Sequence, residues 1–81
     1  MVGRLPSEAA VTRTSFIENL HEGRYAAEVQ VELIETDGGF SPYYSPDDVR
    51  KLERVQDALR RGDVLEASKE ARVFELLPLA G

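Results

Sequence analysis

The stretch Tyr25-Ala26-Ala27-Glu28-Val29-Gln30-Val31-Glu32-Leu33-Ile34 alternates in polarity with a period of two. Tyr25, Ala27, Val29, Val31 and Leu33 fall on one side, and Ala26, Glu28, Gln30, Glu32 and Ile34 on the other. A chain that alternates like this is an extended strand with one buried and one wet face. A half-buried strand cannot stand alone, so the remaining residues must supply its neighbours and a cover for its valine face.

The preceding residues offer the first neighbour. Residues 13–20 carry Phe16, Ile17 and Leu20 and run into His21-Glu22-Gly23, a short connection with a glycine available for positive φ. This reads as a first strand in a hairpin with the second, the alternative being a short helical turn through Phe16, Ile17 and Leu20. Thr36-Asp37-Gly38-Gly39 then marks a turn.

The cover is announced by capping signals. Ser45 is a good N-cap, Pro46 suits the first helical position, and Asp47 and Asp48 place negative charge against the positive end of the helix dipole. Val49, Leu52, Val55 and Leu59 form the apolar stripe, with Ala58 at its margin. Arg60 and Arg61 lie in the last turn and Gly62 at the exit. Asp63 and Glu66 have the spacing of a second cap, predicting a short helix over 64–70 with Val64, Leu65, Ala67, Ser68 and Ala71 as its small or apolar positions. Residues 72–79 read as a last strand, with Val73, Glu75 and Leu77 on one side and Phe74 and Leu76 on the other, ended or confined to an edge by Pro78.

The predicted architecture is α+β with topology ββααβ. A three-stranded antiparallel sheet of order 1-2-3 carries a two-helix hairpin on one face. Residues 13–81 form the single domain, and 1–12, with little apolar patterning, are expected to be flexible. A chain of 81 residues makes one domain at most and buries only about 60% of the surface its unfolded form exposes.

Composition narrows the chemistry. With no cysteine and a single histidine, thiol chemistry and Cys- or His-based zinc clusters are excluded. His21 as a general base needs a positioned partner that the sequence does not offer, and a solvated turn residue accounts for it. The acids of residues 35–39 with Asp47 and Asp48 lack the ligand spacing of a calcium loop, and Gly38-Gly39 lacks the Lys and Ser/Thr of a phosphate loop. The chain is therefore expected to be no enzyme and to hold no cofactor or metal. Fifteen acids against ten bases give a net charge of −5, which argues against nucleic acid as partner. Arg50, Lys51, Arg54 and Arg61 would be the phosphate contacts, but Asp47, Asp48, Glu53 and Asp57 interleave with them. No apolar run approaches the ~20 residues of a membrane span, the N-terminus shows no secretory pattern, and the lack of cysteine fits a cytoplasmic setting.

Phe40-Ser41-Pro42-Tyr43-Tyr44-Ser45-Pro46 concentrates three aromatics around two prolines. At least one of them is expected to close the core. A tyrosine on a stiff segment is also a common interface anchor. The candidate protein-contact residues are therefore Phe40, Tyr43 and Tyr44 with the wet-face acids Glu28 and Glu32. The open edges of the sheet make homodimerisation the rival reading.

Residues 25–37 and 40–76, with their Ser-Pro-Tyr segment and Ala-Leu-Arg-Arg-Gly-Asp helix end, resemble small bacterial proteins of uncharacterised function. Some of these look like antitoxin partners in toxin–antitoxin gene pairs. The resemblance implies a protein-binding role, with a basic toxin-like protein as partner, and no catalytic residues. It also implies a DNA-binding part, which this sequence does not display.

Overall fold

The computed structural model describes residues 11–36 and 41–79. The element order is β1 (Val11–Glu22), β2 (Tyr25–Thr36), β3 (Tyr43–Tyr44), α1 (Pro46–Arg60), α2 (Val64–Ser68) and β4 (Arg72–Glu75). The fold is α+β, as the sequence predicts.

β1 and β2 form an antiparallel hairpin with an unbroken register from Val11↔Thr36 to Glu22↔Tyr25. Gly23 and Arg24 make the turn, with Gly23 at φ 57° and Arg24 at negative φ. A glycine at the first position of a two-residue loop matches the right-handed twist of the strands it joins. The hairpin is longer than the sequence signals. Val11 and Thr12 belong to β1 rather than to a flexible segment, and His21 and Glu22 are strand rather than loop. The rest of the segment expected to be flexible, residues 1–10, lies outside the described residues.

β2 is central. β1 lies on one edge, while β4 pairs antiparallel with Tyr25–Glu28 and the two-residue β3 with Leu33–Ile34 on the other. The order first strand, second strand, last strand is as predicted, and β3 adds a short strand to the three that the sequence predicts. β4 is shorter than expected. Its pairing ends at Glu75, with one further bond from the Leu76 N–H to the Arg24 carbonyl (2.6 Å), so Leu77 does not join the sheet.

The helices pack on the valine side. Ala27, Val29 and Val31 of β2 meet Val55, Ala58 and Leu59 of α1 and Ala67 of α2, and Leu20, Tyr25, Tyr44, Leu52, Ala71 and Val73 complete the margin. Burying one such valine contributes about 1.5 kcal/mol or more. Small residues at 27, 58 and 67 let helix and sheet approach closely. The stripe of α1 is rotated relative to the predicted one. Ala58 is fully buried and Val49 exposed, because the core centres on the C-terminal half of the helix. In α2 only Ala67 is buried, and Leu65 is 81% exposed.

Both helix starts are capped as the sequence indicates. The Ser45 hydroxyl accepts from the Asp48 N–H (3.1 Å), and the Asp63 carboxylate accepts from the Glu66 N–H (3.1 Å). At the exit of α1, Gly62 adopts φ 73° and its N–H reaches the Leu59 carbonyl at 3.0 Å. Asp48 has a second task. Its carboxylate accepts the backbone N–H of Glu32 at 2.8 Å, closing part of the β2 edge between β3 and β4.

Candidate functional site

The face of the sheet opposite the helices is built from the odd residues of β1, the even residues of β2, and Arg72 and Phe74 of β4. Strand alternation alone places them together. Glu28 and Glu32, the two acids expected to make this face negative, are both engaged by arginines. Arg72 Nη1 lies 3.6 Å from Glu28 Oε1, directly across the β2–β4 pairing. Arg13 Nη1 lies 3.3 Å from Glu32 Oε1, on the diagonal of the β1–β2 pairing. Gln30 Nε2 donates to Ser15 Oγ at 3.0 Å between these two ion pairs. The face is a lattice of balanced polar pairs rather than a bare acidic strip.

Large apolar side chains stand among those pairs. Ile17 is 47% exposed, Tyr43 51% and Phe74 39%. Ile17 lies opposite Gln30, Phe74 opposite Ala26, and Tyr43 opposite Ile34. Ile34 itself is buried, against the expectation that its side of the strand is wet throughout. The Arg72 guanidinium sits 5.4 Å from the centre of the Phe74 ring, so one cation serves both the ion pair and an aromatic face.

Of the described candidate contact residues, Tyr44 lies on the other side of the sheet from Tyr43, Glu28 and Glu32. Tyr43 and Tyr44 are consecutive in β3 and therefore point to opposite faces. Tyr43 joins the open face. Tyr44 turns toward the helices, half-buried, where its ring lies 5.8 Å from Phe16 at a tilt of 53°. Its hydroxyl donates to Glu18 Oε1 at 2.5 Å. That hydrogen bond, aided by partial burial and the carboxylate's charge, raises the Tyr44 pKa above the ordinary phenol value. Tyr44 thus closes the core, as expected of at least one aromatic of this stretch. Phe40 lies outside the described residues.

Tyr44 and Glu18 begin a polar seam along the helix side of β1. Further along, Gln56 donates to Glu22, and Arg60 Nη2 lies 3.8 Å from the same carboxylate. The seam holds α1 over β1 with hydrogen bonds where β2 is held by apolar packing.

The cations of α1 and of its C-cap residue Arg61 are spoken for. Arg50 pairs with Asp47, and Lys51 lies 3.8 Å from Asp48. Arg61 Nε reaches Asp57 at 2.9 Å, with Asp63 at 3.4 Å. Arg54 grips Glu70 through two parallel bonds of 2.8 and 2.6 Å, tying α1 to the residues after α2. This fork holds the Glu70 carboxyl below the usual carboxylate value. His21 Nε2 lies 2.8 Å from the Gly23 carbonyl oxygen, so that nitrogen carries the proton and the ring braces the turn.

Among the described residues, no helix is long and apolar enough to cross a membrane, and no three or more His, Asp or Glu side chains are grouped to hold a metal ion. Ile17 and Phe74 did not figure among the sequence-predicted contacts. The signal was present, since period-two alternation puts Ile17 opposite in sense to Phe16, and Phe74 opposite to Val73. No protein-family model matches the chain, and neither the curated proteins nor the solved structures yield a match.

Proposed function

We propose that this domain is a non-catalytic protein-binding module that receives its partner on the open face of the sheet. The observation that supports the reading is the exposure of Ile17, Tyr43 and Phe74 on the side the helices leave uncovered. A small domain gains by burying large apolar groups, and its helices already cover one face of the sheet. Aromatic and arginine side chains set in a polar surround have the composition of interface anchors. The paired arrangement of Arg13–Glu32 and Arg72–Glu28 limits the cost of covering these charges, because each has a partner before contact.

The net charge of −5 favours a basic partner. Long-range attraction speeds such an encounter more than it tightens the complex. A basic toxin-like protein is the partner class that the resemblance to antitoxin-like proteins supplies. Nucleic acid is less favoured, because Arg50, Lys51, Arg54 and Arg61 already lie against carboxylates.

The test compares the wild-type chain with Tyr43→Ala/Phe74→Ala as baits in a quantitative pull-down from the source cell. Circular dichroism serves as the control for folding. The reading expects at least one basic protein to be captured by the wild type and lost with the double variant. Identical capture by both baits removes the open face as the site. Co-expression with a toxin encoded beside this gene provides the second arm. Growth restored by the wild type and not by the double variant supports antitoxin-like action, and no restoration by either rejects it.

A further inference from the structure

We propose that β1 pairs edge to edge and antiparallel with β1 of a second copy of this chain, with Phe16 on the two-fold axis. The surface involved is distinct from the open face, so the proposal stands independently of the partner-binding reading.

Among the described residues, β1 is an outer strand of 12 residues with β2 on one edge only. The direction of its free backbone groups follows from Asp48. Because the Glu32 N–H points away from β1 to reach Asp48, Ser15 and Glu32 form a non-hydrogen-bonded pair. By alternation, the N–H and C=O groups of Val11, Arg13, Ser15, Ile17, Asn19 and His21 all point to the free edge. The two-residue turn agrees, since Glu22↔Tyr25 then falls on a hydrogen-bonded pair.

Outer strands normally carry a device that discourages such pairing: a proline, a bulge, a short length or unpaired charged side chains. β1 has charges but none of the first three. It contains no proline, glycine or lysine, and its register with β2 is unbroken. Its charged residues are Arg13, Glu18 and Glu22. Each is already matched, by Glu32, by the Tyr44 hydroxyl and by Gln56 and Arg60.

The free groups also restrict what fits. A two-fold antiparallel partner must set odd residues against odd residues for N–H to meet C=O, so helices from both copies lie on the same side of one continuous sheet. Two registers give the longest overlap. With Ile17 on the axis, Arg13 faces His21 of the other copy and Phe16 faces the Glu18 carboxylate. With Phe16 on the axis, Phe16 faces itself, Thr14 faces Glu18, Arg13 faces Asn19, Ser15 faces Ile17 and Val11 faces His21. The second register sets the Asn19 amide opposite Arg13 and gives a hydroxyl to the Glu18 carboxylate. It also places two aromatic rings at the close, non-hydrogen-bonded position, each beside its own Tyr44. Its six odd residues per copy exchange about a dozen backbone hydrogen bonds. Charges already satisfied within each copy and an uninterrupted, self-complementary edge both fit a second copy of the chain.

Analytical ultracentrifugation up to high micromolar concentration is the first measurement, and a dimer mass is expected. Ser15→Pro removes a free-edge N–H from each copy and leaves the β1–β2 ladder intact. It should weaken the dimer about tenfold to thirtyfold, for two lost bonds of roughly 1 kcal/mol each. The register is read by oxidising single-cysteine variants, since the natural chain has no cysteine. Phe16→Cys should form a disulfide dimer, because Cα atoms of a non-hydrogen-bonded pair stand about 4.5 Å apart. Ile17→Cys should not. Should the variants fold poorly, amide exchange of the wild type decides. Arg13, Ser15, Ile17 and Asn19 amides should gain protection as concentration rises. A monomer throughout, a dimer indifferent to Ser15→Pro, or cross-linking at Ile17 in place of Phe16 overturns the proposal.

Discussion

Replacing Val29 by alanine, and comparing it with Gln30→Ala one residue later, tests the packing that seals the valine face of the sheet beneath the helices. Val29 has 0% exposure and lies in the centre of the cluster with Val55, Ala58, Leu59 and Ala67. Losing two carbons forfeits about 1.6 kcal/mol of transfer free energy. The space left between sheet and helix cannot collapse fully, since its walls are backbone-close alanines and a β-branched valine. The cavity raises the loss to about 2–3 kcal/mol. A domain of 81 residues has about 4–12 kcal/mol of stability in all, so the variant surrenders a large share of it. Gln30 points to the open face, where its loss removes one exposed hydrogen bond and should cost under about 0.5 kcal/mol. Urea titration followed by circular dichroism should give an unchanged slope for both variants and a lower midpoint for Val29→Ala alone. The corresponding drop in Tm is about 10–20 °C. Equal stability for the two variants would show that the valine side is not the sealed one, and the assignment of the open face would fall with it.

Three further outcomes follow from single contacts. Ser45→Ala deletes the hydroxyl that accepts the Asp48 N–H and should cost about 1 kcal/mol in the same titration, with Ser45→Asp restoring most of it. Gly62→Ala should also cost about 1 kcal/mol. A methyl there meets nothing within 4 Å, so the penalty comes from the positive φ alone, and a neutral result would mean the helix exit is not in that conformation. Tyr44 has a pKa raised in the folded state, so its hydrogen bond to Glu18 stabilises fully below the ordinary phenol value near 10 and is lost as pH climbs through the raised one. Absorbance titration should therefore show a late-ionising tyrosine that vanishes in Tyr44→Phe, and a titration curve unchanged by that substitution would dismiss the Glu18 contact.

Local chemistry determined much of this protein in advance. The alternation of residues 25–34 specified a half-buried strand because side chains of an extended chain must alternate in direction. Ser45, Pro46 and Gly62 bounded α1, because orphan N–H groups and a left-handed exit accept few residue types. From these followed the class of fold, the order of the three main strands and the burial of Val29 and Val31.

Only the tertiary structure decided what the outer surface became. Arg13 and Arg72 are distant in sequence from Glu32 and Glu28, and only strand register brings them within bonding reach, which turned a strip that reads as acidic into balanced pairs. Ala58 rather than Val49 entered the core because burial depends on where the helix meets the sheet, not on hydropathy alone. Tyr43 and Tyr44 parted company because two residues of a loop-like segment found hydrogen-bonding partners on β2. Periodicity is a property of neighbours along the chain, whereas ion pairs, edge closure and depth are set by neighbours across space.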